Sequence, residues 1–149
     1  MFGNIEMIGK LISLGANTKI LLEGVPLLHL SLSFSSKYVV NQVFSDHREK
    51  SLKCFKHLFG KIDQNLCTDR LGRNIVHYII MNDLFEIFDI NQFEDKLLTV
   101  KDFNGDTPID YLYIYNSINC IKIILNQFDG KFFIHLEENN INFLEKIFV

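Results

Sequence analysis

One interval recurs along this 149-residue chain: a glycine with a histidine, or a residue in its place, five positions later. It stands at Gly24–His29, Gly72–His77, Gly105–Asp110 and Gly130–His135, with 48, 33 and 25 residues between successive glycines. Internal self-similarity at such a period constrains a fold more than composition does, because each copy has to be one supersecondary unit stacked on its neighbours. The best-defined copy reads Lys101-Asp102-Phe103-Asn104-Gly105-Asp106-Thr107-Pro108-Ile109-Asp110. Asp102 and Gly105 suit a tight turn, where glycine adopts a backbone angle that other residues resist. Thr107 suits the N-cap of a following helix, and Pro108 its first turn, where no backbone N–H is missed. Asp69-Arg70-Leu71-Gly72-Arg73-Asn74-Ile75-Val76-His77 repeats the phase with Asn74 as the cap, whereas Gly24-Val25-Pro26-Leu27-Leu28-His29 has its proline one place early.

An apolar helix is expected after each start, at Ser51 to Phe59, Leu84 to Ile90, Ile118 to Phe128 and Ile141 to Phe148. Near the N-terminus, positions 5, 7, 8, 11, 12 and 14 give a broad helical face that Gly15 is placed to end. The turn of the fourth unit closely resembles the ankyrin motif D-x-x-G-x-T-P-L-H, with Asp110 in place of its histidine. The stretch ending Gly15-Ala16-Asn17 resembles the exit of the ankyrin second helix. The resemblance implies an all-α ankyrin-repeat solenoid of about four to five helix-turn-helix units. It divides the single domain 1–149 into a partial first unit (1–20), a second unit (21–67) with an insertion at 34–50, a third (68–100), a fourth (101–126) and a degenerate C-terminal cap (127–149).

Two departures from the pattern carry expectations of their own. The insertion holds Phe34, Tyr38, Val39, Val40, Val43 and Phe44, too apolar for a disordered loop, so it is expected to lengthen the first helix of its unit or to add one against the array. The first unit opens on its second helix, whose Ile5, Ile8 and Ile12 are expected to face a neighbour. Leaving such side chains in water forgoes roughly 1.5–3 kcal/mol each. Either upstream residues of the same polypeptide or a second copy of the chain would cover that face, and an upstream domain is the expected cover. The polar residues Glu137, Glu138, Asn139, Asn140 and Asn142 suit a capping end.

Chemistry finds little support. No phosphate loop, nucleophile elbow or H-E-x-x-H helix is present in the sequence. His29, His77 and His135 hold one position of successive units, so they should lie a repeat apart. Ligands of one zinc must each approach within about 2 Å of it. They are read as structural groups bonding to neighbouring turns, so neither metal nor cofactor is expected. Cys54, Cys67 and Cys120 form no C-x-x-C unit and fit buried thiols in a reducing compartment, although Cys67, beside a turn, is a candidate for partial exposure. A net charge of −3 gives no field for nucleic acid, and the stripe Lys50, Lys53, Lys56 and Lys61 with His57 reads as a solvated face. No apolar run reaches the roughly 18 residues of a membrane span, so a cytoplasmic compartment is expected, with neither nucleic acid nor membrane as partner.

The resemblance implies a recognition module rather than an enzyme. Ankyrin proteins bind through their turn tips and the inner face of their first helices. By motif phase these positions are Leu22, Glu23, Val25 and Ser33, then Arg70, Leu71, Arg73, Met81 and Asn82, then Phe103, Asn104, Asp106, Ile114 and Tyr115. The protein-binding set expected on this basis is Arg70, Leu71, Arg73, Asn82, Phe103, Asn104, Asp106 and Tyr115. Arg70 and Arg73 together suit a carboxylate, and Phe103 suits an anchor. Abundant Phe, Ile and Asn and the lack of Trp are what AT-rich codons favour, which points to an AT-rich microbe or virus as source. The resemblance to ankyrin proteins then extends to the ankyrin regions of secreted bacterial effectors. Among these are the OspC-type arginine ADP-riboxanases, where such a region is associated with recognising a host caspase. This implies a host target in the host cytosol, with a viral ankyrin protein as the other origin. The alternative role is a C-terminal structural or substrate-selecting domain of a larger effector enzyme.

Overall fold

Asp–x–x–Gly and a cap residue at fixed offsets are enough to build a turn and start a helix, and both do so in a computed structural model of the chain. It describes residues 5–19, 21–32, 42–62, 67–88, 93 and 95–127. The described chain is mostly helical. Helix α1 runs Ile5–Ser13, followed by a two-stranded hairpin of β1 (Leu21–Leu22) and β2 (Val25–Pro26) and then α2 (Leu27–Leu30). After these come α3 (Gln42–Phe59), α4 (Ile75–Met81), α5 (Asp95–Thr99), α6 (Pro108–Ile114) and α7 (Ile118–Gln127). Helices α2, α4 and α6 pack side by side in chain order, with α1 on α3, α3 on α2, and both α5 and α7 on α6.

The stretches 69–84 and 102–117 repeat one hydrogen-bond pattern. Asp69 Oδ1 accepts from Leu71 N and Arg73 N, both at 2.9 Å, and Asp102 Oδ1 accepts from Asn104 N at 2.8 Å and Asp106 N at 3.0 Å. Each carboxylate thereby stands in for the missing partners of a turn. Gly72 and Gly105 take φ of 77° and 91°, the left-handed conformation that the fourth residue of the turn requires. The caps follow. Asn74 Oδ1 accepts from Val76 N and His77 N, and Thr107 Oγ1 accepts from Asp110 N while the Asp110 carboxylate accepts from Thr107 N. Both helices then stop alike, without glycine: Asp83 (φ 51°) and Asn116 (φ 49°) turn left-handed, and Leu84 N and Ser117 N donate back to Ile79 O and Leu112 O. Helix α1 ends in the same motif on Gly15, as the sequence led us to expect.

The core runs through these helices. Leu28, Leu58, Ile75, Ile79, Ile80, Leu84, Ile109, Leu112 and Ile124 are wholly buried. Asp83 ties the end of α4 to the start of α7, its carboxylate accepting from Cys120 N at 3.0 Å and Asn119 Nδ2 at 2.8 Å. Asn74 Nδ2 reaches Leu97 O at 2.7 Å and holds α5 in place. Cys67 and Cys120 are buried and Cys54 half-buried, so the exposure considered for Cys67 is not found.

Three expectations need correcting. The helix expected from Leu84 to Ile90 does not form in its described part, 84–88: 85–87 is a turn closed by Ile87 N→Leu84 O and Phe88 N→Phe85 O. Leu84, Ile87 and Phe88 are buried at helical spacing, which a short run of three-residue turns satisfies as well as a helix does. The helix expected from Ser51 instead begins at Gln42, so the described part of the insertion, 42–50, extends the second helix of its unit. Arg48 there is paired with Glu86 at 2.6 Å. On α1, Ile8 and Ile12 are half-buried against the core, while the face left open is Met7, Leu11 and Leu14. The start at Gly130–His135, the helix Ile141 to Phe148, the polar cap at 137–142 and the insertion residues before 42 lie outside the described residues, as does Ser33.

The hairpin departs from the other two turns. Glu23 and Gly24 both take positive φ (54° and 81°), the two-residue turn that suits a tight hairpin, and Leu22 pairs with Val25. Its proline then falls on the cap position of α2 and supplies neither a capping side chain nor an N–H. Replacing Pro26 by Thr restores both and removes the rigid ring. The capping gain of about 1–2 kcal/mol exceeds the roughly 0.4–1 kcal/mol lost to a freer unfolded chain. Urea unfolding should show a net gain of about 1 kcal/mol.

Candidate protein-binding surface

The two turns project residues that carry no core duty, and the geometry divides the expected set into displayed and engaged side chains. Phe103 is the most displayed: 78% exposed, with its backbone N–H donating to Leu71 O of the preceding turn at 2.8 Å. Its ring lies flat enough on that turn that a Cβ on Gly72 would come within 2.8 Å of Cδ1. Arg70, the matching residue one turn earlier, lies across Gly24 in the same way, its Nε in the space that a Cβ there would take. In both units the residue after the turn aspartate reaches back over the glycine of the turn before. Leu22 holds that position in the hairpin and is exposed.

Arg73 is engaged rather than displayed. Its Nη2 lies 2.6 Å from Asp69 Oδ2 and its Nε donates to the same oxygen at 2.8 Å; Nη2 also reaches the Tyr78 hydroxyl at 3.2 Å. The guanidinium lies 4.9 Å from the Tyr78 ring centroid, and Nη1 is 3.8 Å from Met81 Sδ. Arg70 and Arg73 are therefore not brought together as a pair. Burial pushes the Asp69 carboxyl up, but the Arg73 guanidinium, the Arg73 N–H, the Tyr78 hydroxyl and the Leu71 N–H outweigh it and hold the group below its usual value. Tyr78, half-buried and donating to that carboxylate at 2.9 Å, is pushed up to about 12 by its burial and by that bond. Asp102 repeats the arrangement with Tyr111, whose hydroxyl donates to Oδ2 at 2.8 Å. Burial is again opposed there, by the Tyr111 hydroxyl and the Asp106 and Asn104 N–H groups, so that Asp102 is held low.

The remaining expected residues sort as follows. Leu71 and Asn104 are exposed on the tips, and their backbone N–H groups are fixed by Asp69 and Asp102. Asp106 is half-buried, its carbonyl accepting from His77 Nε2 at 3.2 Å. Asn82 ends α4, with Nδ2 on Tyr78 O at 2.9 Å. Tyr115 is half-buried and its ring rests 4.9 Å from that of Tyr111. Tyr113 and Ile114, by contrast, are exposed on α6. The sequence reading did not single out Phe85, exposed after α4, or the outward stripe Met7, Leu11 and Leu14. The stripe had a signal, since those positions recur at helical spacing within the broad apolar face of α1.

Among the described residues no group of His, Cys, Asp and Glu is arranged to hold a metal ion, and no helix is long and apolar enough to cross a membrane. No family model matches the chain, and no solved structure matches it. One stretch of 56 residues, 38% of the chain, is 38% identical to part of target of rapamycin complex 2 subunit AVO2 from Saccharomyces cerevisiae. The matched stretch spans 13% of that protein's length.

Proposed function

We propose that the chain is an ankyrin-repeat solenoid and a non-enzymatic recognition module, gripping a protein partner through its turn tips and its concave helix face. The observation that carries this reading is the pair Arg70 and Phe103, equivalent side chains held over successive glycines and projecting from turns that the Asp69 and Asp102 networks make rigid. The 33-residue repeat of hydrogen bonds supports the solenoid. An aromatic anchor on a stiff support loses little conformational entropy on binding, the usual condition of an interface hot spot. Tyr113, Ile114 and Leu71 extend the same exposed surface.

The test compares the chain with its Arg70→Ala/Phe103→Ala variant as bait in cell extract. Both side chains rest on neighbouring turns and stay outside the core, so unfolding free energy should change by less than about 1 kcal/mol. A partner held by the parent should bind the variant more than about tenfold more weakly. Equal retention at matched stability would remove the tips as the site.

A second reading is favoured by one feature. Met7, Leu11 and Leu14 are each more than half exposed on one side of α1, an apolar stripe that suits packing against another domain. The module would then be a structural or substrate-selecting part of a larger enzyme. Leu11→Glu/Leu14→Glu distinguishes the two: it should leave tip binding intact and abolish docking through α1.

A further inference from the structure

His29 and His77 occupy one position of successive units, and their surroundings differ at the cap residue. His29 Nε2 donates to Arg73 O at 3.1 Å and His77 Nε2 to Asp106 O at 3.2 Å, each bonding its own unit to the next turn. A carbonyl oxygen only accepts, so both rings carry their proton on Nε2 and offer Nδ1 as an acceptor. At His77 that nitrogen accepts the N–H of the cap residue Asn74 at 3.1 Å. Asn74 Oδ1 lies 2.9 Å from the same nitrogen, ready to accept from a second ring proton. At His29 the cap residue is Pro26, which has no N–H. His29 Nδ1 is buried without a hydrogen-bond partner among the described residues.

We infer that His29 is a proton-operated latch on the joint between α2 and the Asp69–Arg73 turn, released when the ring is protonated while the joint at His77 holds. A proton added at Nδ1 finds no acceptor among the described residues and places a charge inside a buried joint. The groups around the ring do little to accommodate it. From the α4 unit, Asp69 attracts the charge but is already committed to Arg73, whose guanidinium repels it, and Tyr78 meets the ring edge-on at 4.6 Å as a neutral phenol. From α3, Ser51 donates to Ser31 O and Arg48 is paired with Glu86. Strand β2 has no ionisable side chain, and Glu23 is exposed at the hairpin tip. Burial consequently lowers His29 from 6.5 to about 4, with the bond to Arg73 O, the Asp69 charge and the Asn74 backbone opposing only in part. Burial lowers His77 as well.

A ring held neutral in the closed joint and able to take up a proton once opened makes opening more favourable as pH falls. The joint is tightest above the open-state value of about 6.5 and loosens progressively toward 4. At pH 5 the opening equilibrium should exceed that at pH 7 by about 20-fold. Hydrogen exchange of the whole chain at pH 7 and pH 5, corrected for intrinsic rates, reads this directly. The amides of Ser31 and Leu32 should show that rise, and those of α6 a much smaller one. An equal rise in both places, or none, would overturn the inference. His29→Gln keeps a donor for Arg73 O but does not titrate, so its exchange should be flat over this range; an acid response surviving in it would also refute the latch. Should that variant fail to fold, the His29 ring signal of the unaltered chain decides: titration near 4 supports the latch and titration near 6.5 excludes it.

Discussion

Asp69→Ala should be the most damaging single change in the described chain, lowering unfolding free energy by about 3–5 kcal/mol, the range for breaking a buried ion pair from one side. One carboxylate accepts from Leu71 N, Arg73 N, Arg73 Nε, Arg73 Nη2 and the Tyr78 hydroxyl, so its loss strands a half-buried guanidinium together with two turn N–H groups. Asp102→Ala removes the same two N–H bonds and one tyrosine bond, but no cation depends on it. Its cost should stay nearer 2–3 kcal/mol, the penalty of unsatisfied neutral groups. Urea unfolding of the two variants side by side measures the difference that Arg73 makes. Adding Arg73→Met to Asp69→Ala should recover part of the loss, since an uncompensated charge costs more than an absent pair. The pH sign follows. Both carboxyls sit below their usual value in the fold, so the stability they supply is complete above the unfolded value and disappears as pH falls through the lower folded values. This acid loss lies below the range in which His29 acts, and Asp69→Ala should reduce it.

The turn chemistry was legible because it depends on residue type at fixed offsets. Asp69, Gly72 and Asn74, and Asp102, Gly105 and Thr107, form the bonds that their side chains predict. The ends of α4 and α6 were not legible, since Asp83 and Asn116 do the work of glycine and nothing in composition marks them. The stretch after Leu84 misled for a related reason: burial at i, i+3 and i+4 is shared by a helix and by short successive turns. The surface was legible as positions and not as engagement. Arg73 and Phe103 both fall on expected tip positions, yet a tyrosine five residues on and an aspartate four residues back occupy Arg73, whereas Phe103 has a glycine beneath it and water around it. Distinguishing the two needs the direction of each side chain, which the alternation of residue types does not encode. The open face of α1 was read as Ile5, Ile8 and Ile12, although the stripe of Met7, Leu11 and Leu14 belongs to the same broad apolar face. Both stripes have helical spacing, and only the placement of α3 decides between them for Ile8 and Ile12.

Gly72→Ala should cost the fold about 2–3 kcal/mol and weaken partner binding as much as Phe103→Ala does, although residue 72 touches no partner. Two effects combine. A left-handed backbone at φ 77° penalises any side chain by roughly 1–2 kcal/mol. The new methyl would also stand 2.8 Å from Phe103 Cδ1 and 2.9 Å from Cε1, which lifts the ring off its seat. Gly105→Ala isolates the first effect, because its φ is 91° and a Cβ there meets nothing within 4 Å. It should cost about 1–2 kcal/mol and leave the Phe103 ring in place. Gly24→Ala probes the same contact under Arg70, where a longer and more flexible side chain swings clear more easily. Urea unfolding of Gly72→Ala and Gly105→Ala, paired with partner capture by each, separates the backbone from the ring. If the two variants bind alike once stability is matched, the seating of Phe103 on Gly72 is irrelevant to recognition. If only Gly72→Ala loses the partner, the glycine acts on binding through the aromatic side chain it supports.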